Sequence, residues 1–167
     1  MTRELPPRPK RNDPDVVRKA AHHLVQKIST WCHRKGVTPD LMLIARCYAD
    51  DGYKFARNLE AEGWPSDFTL TSMLAVHAKN CADEAIDEDV AAWVKANNIK
   101  VPFSGLQSVA LPWCAKGQII DINHRLATIT VHPVAEDAQW SGNSDSGWVI
   151  GYELATPFLG TVGEPAQ

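Results

Sequence analysis

Apolar residues in the first hundred positions of the chain recur every three or four residues, which is the period of an amphipathic helix. The first such stripe consists of Val17, Ala21, Leu24, Ile28 and Trp31. Asp13-Pro14 precedes the stripe and supplies an N-cap residue followed by a proline suited to the first helical position. Gly36 follows the stripe and provides the residue type at which helices commonly end. The pattern predicts a first helix between these two signals.

Further apolar stripes predict more helices up to residue 100. One begins after Thr38-Pro39-Asp40 and is interrupted near Gly52, where we expect a break or a kink. Another begins after Pro65-Ser66-Asp67. The acidic run over residues 83–89 favours the N-terminus of a separate helix, because carboxylates are stabilised at that end, and Asn97-Asn98 would end it. The sequence therefore predicts four or five helices over residues 13–100.

After residue 100 the apolar pattern changes to an alternation of inward and outward positions, which is typical of half-buried strands. The candidate strands are residues 107–111, 118–123, 126–132 and 148–154. The second and third are joined by a short turn, which indicates a β-hairpin. We therefore predict an α+β chain: an N-terminal four- to five-helix part followed by a small antiparallel β-sheet or SH3-like barrel over residues 101–160, with a tail over 161–167.

The first twelve residues are predicted to form a flexible basic arm, since the prolines within residues 6–9 exclude a helix. The arm carries Arg3, Arg8, Lys10 and Arg11, and the charge continues into Arg18 and Lys19 of the first helix. Residues 1–35 hold nine Lys or Arg against three Asp or Glu, a balance of +6. The remaining residues hold eight against seventeen, a balance of −9. The net charge of −3 is therefore the sum of a basic N-terminal segment and an acidic remainder.

This charge division makes the arm and the adjoining helix face a candidate binding surface. The cations are suited to several phosphates of a nucleic acid. They are equally suited to an acidic protein, including the acidic remainder of a second copy of this chain. We favour the protein partner, because most of the chain is acidic and would repel a duplex lying across it.

Composition and the lengths of the apolar runs disfavour a disordered, a membrane-spanning or a secreted protein. Hydrophobic residues make up 44% of the chain and charged residues 22%, which is typical of a globular protein rather than a disordered one. No stretch approaches the roughly 18 consecutive apolar residues that would span a bilayer. The basic residues at the N-terminus are not followed by the apolar segment of a secretory signal. We therefore expect a cytoplasmic protein without membrane association.

The cysteines do not form a recognisable disulfide or metal motif. Cys32, Cys47, Cys81 and Cys114 are scattered without a CxxC pair, which in a reducing compartment indicates free and mostly buried thiols. His77 and Cys81 lie four residues apart on one helix face and are the best candidates for a shared metal ion. Leu70 and Leu74 lie on the same face, which favours core packing instead. No glycine-rich nucleotide loop is present, so we predict no metal and no cofactor.

The segment Trp113-Cys114-Ala115 resembles the surroundings of the nucleophile in CHAP-type peptidoglycan amidases. The resemblance covers these few residues and implies a hydrolase in which Cys114 attacks and His124 or His132 acts as base. In that family the cysteine opens a helix, whose N-terminus lowers the thiol pKa, and the histidine lies well downstream. Here Lys116-Gly117 and a β-hairpin follow at once, and the two histidines lie ten and eighteen residues after the cysteine. These differences favour a non-catalytic chain.

We therefore interpret the chain as a non-enzymatic binding or adaptor protein that engages a macromolecular partner through surface charge and a loop of the β part. The polar segment over residues 135–147, with Trp140 at its centre, is the second candidate surface. Compact, tryptophan-rich chains without catalytic motifs are of the kind that phages and mobile elements encode as accessory proteins or host-factor inhibitors. The alternatives are a Cys114-dependent hydrolase and a nucleic-acid-binding regulator that uses the basic arm.

Overall fold

A computed structural model describes residues 6–133 and 147–158. In this part of the chain four helices precede five strands, in agreement with the predicted α+β class and with the lower predicted helix count. The helices are α1 (Pro14–Lys35), α2 (Leu41–Cys47), α3 (Gly52–Ala61) and α4 (Phe68–Asn97). The strands are β1 (Ser108–Leu111), β2 (Cys114–Asn123), β3 (Thr128–Pro133), β4 (Trp148–Gly151) and β5 (Thr156–Pro157). The chain divides into two compact units between Trp93 and Val94.

Helix α1 begins and ends where the sequence signals predict. Pro14 is its first residue, and Gly36 closes it in the left-handed region at φ 64°. The Gly36 amide donates to the carbonyl oxygen of His33, which satisfies one of the terminal acceptors of the helix. The carboxylate of Asp13 accepts from the Lys10 amide at 2.7 Å instead of capping α1. This contact fixes the turn by which the N-terminal arm enters the helix.

The predicted interruption near Gly52 is confirmed as the boundary between α2 and α3. Asp40 caps α2 by accepting hydrogen bonds from two backbone amides, and Asp51 caps α3 by accepting from the Lys54 amide at 2.7 Å. Gly52 is buried at the first turn of α3. A Cβ at this position would lie 2.1 Å from the amide nitrogen of Ala75, so the glycine permits close contact between α3 and α4.

Residues 68–97 form one helix of 30 residues, which corrects the prediction of two helices. The acidic run 83–89 lies inside α4 and does not mark an N-terminus. No glycine or proline interrupts the segment, so nothing in the backbone requires it to end. Basic residues of the first unit lie opposite the run: Arg11 pairs with Asp83, and Lys19 pairs with Glu88 and Asp89. These pairs offset the repulsion among neighbouring carboxylates.

The first unit has a continuous apolar core contributed by all four helices. Its largest fully buried side chains are Trp31, Phe55, Leu24, Ile28, Ile44, Leu59, Leu70 and Leu74. Trp31 packs beside Trp64 with ring centroids 6.1 Å apart, and its indole Nε1 donates to Asp67 at 3.0 Å. Four of the five residues of the stripe predicted for α1, Ala21 to Trp31, therefore face this core, whereas Val17 is only half-buried. The buried indole keeps a hydrogen-bond partner.

The second unit contains an antiparallel sheet in the order β4-β3-β2-β1-β5. The sheet confirms one of the two predicted forms, whereas closure into a barrel is not confirmed. The predicted strand 148–154 ends at Gly151, and residues Tyr152–Leu154 form a 3-10 helix instead. A bulge between Ile119 and Asp121 interrupts the β2–β3 ladder. Across the bulge the inward positions continue with Ile122, so the core face of the sheet is preserved.

The connection between β4 and β5 shows that this sheet is curled. The two strands lie at opposite edges, and in a flat sheet four spacings of about 4.8 Å would separate them by about 19 Å. Only residues 152–155 join them, and three of these form the 3-10 helix. A 3-10 helix rises only about 2 Å per residue, so the connection is too short to cross a flat sheet. The edges must therefore approach each other.

Candidate functional site

The N-terminal arm lies along α4 in the first unit. Residues 6–12 run against α4 in the direction opposite to the helix: Pro6 contacts Trp93, and Arg11 contacts Asp83 and Lys79. We call the set Trp93, Asp83, Asp50 and the arm residues that contact them the arm–helix surface. All of these residues belong to the first unit. Of the arm cations proposed as a binding surface, Arg11 is therefore in contact with acidic side chains of its own chain, and Arg8 lies over Trp93.

Trp93 holds the beginning of the described arm. Its indole Nε1 donates to the carbonyl oxygen of Pro6 at 3.0 Å. The guanidinium carbon of Arg8 lies 6.0 Å from the centroid of the same ring, a cation–π distance. Proline at positions 6, 7 and 9 keeps this segment extended, and it leaves the carbonyl oxygens available as acceptors. The half-buried indole therefore contacts a proline-rich backbone and a cation together.

Arg11 holds the other end of the arm. Its Nε donates to Asp50 at 3.0 Å, one terminal nitrogen donates to Asp83, and the other reaches the carbonyl oxygen of Lys79 at 3.3 Å. Burial opposes the charged form, but hydrogen bonds to Asp83 and Asp50 outweigh it and raise the pKa of Arg11 above its usual value. The guanidinium joins the α2–α3 connection to α4, so the arm contacts two separate parts of the helical unit.

Of the remaining described cations predicted for binding, Arg18 and Lys19 lie on α1 and Lys10 precedes it. Lys19 pairs with Asp89 and lies 3.6 Å from Glu88, and the hydrogen bond to Asp89 is the main reason that the pKa of Lys19 is raised. Arg18 pairs with Asp15 at 3.0 Å on the solvent side of the helix. Lys10 is exposed, and its backbone amide is held by Asp13. Among the described cations of the predicted positive face, Arg11, Arg18 and Lys19 therefore already pair with carboxylates.

A cleft of about 540 Å³ lies beside Arg11. Its polar lining residues are Arg11, Asn12, Tyr48, Asp50, Asp51 and Lys54. The Tyr48 hydroxyl donates to the carbonyl oxygen of Ala78, and burial raises the pKa of this phenol. Asp51 is engaged in capping α3. The cleft therefore offers charges of both signs next to the arm, and its tyrosine is a neutral hydrogen-bond donor rather than a base.

The residues predicted for a cysteine hydrolase are not brought together. Cys114 is the first residue of β2, so no helix begins at this position. His124 lies in the exposed turn after β2, ten residues after Cys114, which is about 33 Å at a strand rise of about 3.3 Å per residue. His132 pairs with Gln118, four residues from Cys114, which is a backbone separation of about 14 Å. Both separations far exceed the roughly 3 Å contact of a nucleophile with its base.

The predicted metal ligands lie in different surroundings. Cys81 is buried in the apolar core, and this burial raises its thiol pKa. His77 is half-buried one turn earlier on α4. Across residues 6–133 and 147–158, no group of three or more His, Cys, Asp or Glu side chains is arranged to hold a metal ion. The preference for core packing over a metal site therefore stays a prediction, supported by the position of Cys81.

Two predicted binding residues, Arg3 and Trp140, lie outside the described residues. Conversely, sequence reasoning did not select Trp93, Asp50 or Asp83 as binding residues. The available signal was a proline-rich basic segment in the same chain as an acidic run followed by a tryptophan. That combination would have indicated an internal contact between the two.

Comparisons with known proteins identify no relatives. No protein-family model, curated protein or solved structure matches this chain. Within the part of the chain that the structure describes, no helix is long and apolar enough to cross a membrane. The case for a function therefore depends on the geometry of the arm–helix surface.

Proposed function

We propose that the chain is a cytoplasmic, non-enzymatic protein-binding or adaptor protein. The observation that carries this proposal is the seating of an extended, proline-rich and basic segment on Trp93 and on carboxylates of the helical unit. Aromatic side chains that hold proline-rich backbone, and acidic side chains that hold its cations, are the chemistry by which proteins recognise extended peptides. The sequence interpretation as a phage or mobile-element accessory protein stays a prediction.

The same contacts favour a protein partner over a nucleic acid. Arg11 and Lys19 are each shared between two carboxylates of this chain. A phosphate would have to displace these carboxylates, and it would meet the unbalanced negative charge of the acidic run on α4. A basic segment of another protein would meet that charge favourably. The charge division along the sequence therefore supports a surface that attracts cations.

We propose in addition that the sheet of the second unit is SH3-like. The support is the antiparallel neighbour order from β1 to β4, with short β1–β2 and β2–β3 connections, followed by the return of β5 to pair with β1. This return curls the sheet in the direction of a barrel. An experimental structure with hydrogen bonds between β4 and β5 would establish closure, and separated edges would contradict it.

Affinity capture from a lysate tests the proposed function. The bait is the full chain, and the matched control is the full chain with Trp93→Phe and Asp83→Asn, which alters the arm–helix surface at both ends. We expect proteins that the wild-type chain retains and the control loses, with no effect of nuclease treatment. Capture that nuclease abolishes would instead identify a nucleic-acid-binding protein, and identical capture by both baits would contradict a role for this surface.

A further inference from the structure

From the geometry of the arm–helix surface we infer the class of its ligand: an extended segment of a partner protein with prolines and two arginines three residues apart. We further infer that the chain's own arm occupies the site until such a segment displaces it. This inference rests on the proposed protein-binding function and specifies the chemistry of the partner.

The spacing of the two anchor points fits an extended segment. From Asp83 to Trp93, ten residues of α4 rise about 15 Å at about 1.5 Å per residue. From Pro6 to Arg11, five residues with the rise of an extended proline-rich chain, about 3.1 Å per residue, would advance about 16 Å. The length of an extended proline-rich segment therefore matches the distance along α4 from the Trp93 indole to the Asp83 carboxylate. A helical segment of the same length would cover only half of this distance.

The arginine spacing also fits the surface. A polyproline II helix repeats every three residues, so positions 8 and 11 point in similar directions from an extended segment. Both side chains contact the helical unit: Arg8 lies over the ring of Trp93, and Arg11 lies between Asp50 and Asp83. Asp50 and Asp83 are about half exposed, so a second arginine can approach them from solvent. The site therefore favours a ligand with two arginines three positions apart. The segment that joins them can be rich in proline, which has no backbone N–H to donate.

The arm is held in a way that permits exchange. Its contacts include a hydrogen bond at Pro6, a cation–π contact at Arg8, and ion pairs and a backbone hydrogen bond of the partly exposed Arg11, each of which is weak alone. None of the described residues before Asp13 belongs to a helix or strand, so releasing them breaks no ladder. A partner segment with the same spacing forms the same contacts, and it competes with an arm that is favoured only by its attachment to α1.

The test uses the full chain with Arg8→Ser and Arg11→Ser, which frees the site, and a peptide of residues 4–12 of this chain as the probe. Peptide is added to about 1 mM, since weak extended peptides bind in this range. The readout is the indole N–H resonance of Trp93 in ¹⁵N NMR spectra, assigned among the six tryptophans by Trp93→Phe. We expect this resonance to move in the double variant toward its wild-type position. In the wild-type chain we expect an affinity weaker by about tenfold or more, because the arm competes.

Three controls isolate the inferred features. A peptide with both arginines replaced by serine, and a peptide of the same composition with adjacent arginines, should leave the resonance unmoved. Adding Asp83→Asn to the double variant should weaken binding by about tenfold, the effect of losing one charged partner. Arg34→Ser with Arg57→Ser removes two exposed cations elsewhere and should behave as the wild-type chain does.

Two outcomes would overturn the inference. In the first, the Trp93 resonance of the folded double variant does not move when the peptide is added. The inferred ligand class would then be wrong, and the protein-binding proposal would still be tested separately by the capture experiment. In the second, the wild-type chain forms arm-dependent dimers in sedimentation measurements. The occupant would then be the arm of a second copy rather than a segment of a different protein.

Discussion

Gly52 packs directly against the backbone of Ala75, so closely that a Cβ at position 52 would lie 2.1 Å from the Ala75 amide nitrogen. Backbone cannot rotate away as a side chain can, and even one methyl group would force α3 and α4 apart. We therefore expect Gly52→Ala to lower the free energy of unfolding by about 3 kcal/mol. Urea unfolding followed by circular dichroism measures this loss.

The control for that variant is Gly105→Ala, since a Cβ at position 105 would meet nothing within 4 Å. We expect this substitution to change the free energy of unfolding by less than about 1 kcal/mol. If Gly52→Ala were equally well tolerated, the close contact between α3 and α4 would not exist in solution.

The contacts of Asp67 should make the free energy of unfolding of the first unit depend on pH in the acid range. Its carboxylate accepts from the Leu70 amide, pairs with Lys35 and accepts from the Trp31 indole, and these contacts lower its pKa from 3.8 to about 2. A lowered folded-state pKa contributes stability that is fully present above pH 4 and is lost as the pH falls toward 2. We therefore expect Asp67→Asn to be less stable than the wild-type chain above pH 4, with a difference that disappears near pH 2.

Unfolding curves at several pH values test this behaviour. Asp15→Asn serves as the matched control, because Asp15 is a mostly exposed carboxylate of α1 in an i,i+3 pair. The control should change stability little throughout the range. A constant difference between Asp67→Asn and wild type at all pH values would show that the charge of Asp67 does not matter.

The contact between Arg11 and Asp83 should have a measurable coupling energy. Arg11→Gln, Asp83→Asn and the double variant form a cycle, for which we expect about 0.5–1 kcal/mol because both groups are partly exposed. The coupling should fall as salt rises, since screening weakens exposed ion pairs. The same cycle on Arg18 and Asp15 should give nearly zero, because that pair is much more exposed. Equal coupling in the two cycles would contradict an anchored arm.

The buried thiols should be unreactive in the folded chain. Cys32, Cys47 and Cys81 are buried, and for each of them burial is the main reason that the thiol pKa is raised. A thiol reagent at neutral pH should therefore label at most one of the four cysteines quickly, and all four after denaturation. Rapid labelling of two or more thiols in the native chain would contradict this packing. Mass spectrometry identifies the modified residue.

Local signals predicted most of the fold, because helix boundaries in this chain depend on nearby residues. Asp13-Pro14 and Gly36 bound α1, and the interruption near Gly52 separates α2 from α3. The pattern does not predict the continuous α4, because an acidic run favours a helix N-terminus when only the dipole of a single helix is considered. Its carboxylates are instead stabilised by cations of α1 and of the arm, as in the pair of Lys19 and Asp89. The local pattern of apolar residues does not predict ion pairs between distant parts of the chain.

The candidate site could be predicted only in part for a similar reason. Composition indicates the basic arm, but the contacts of the arm join residues that are far apart in sequence: Arg11 and Asp83 are separated by 72 positions. Pro6 and Trp93 are separated by 87. Charge balance predicts that the acidic and basic parts attract each other, but it does not select the residues that meet.

The return of β5 to β1 has a consequence for the order in which the sheet folds. The β2–β3 hairpin closes across a four-residue turn, whereas Val109 and its β5 partner Pro157 are 48 positions apart. Because closing a longer loop costs more chain entropy, the hairpin should form early and the β1–β5 pairing should form last. In pulse-labelling hydrogen exchange, the Phe158 amide, which donates to Ser108, should gain protection after the amides of the β2–β3 ladder. The slowest step in the folding of the second unit is then the pairing of β5 with β1.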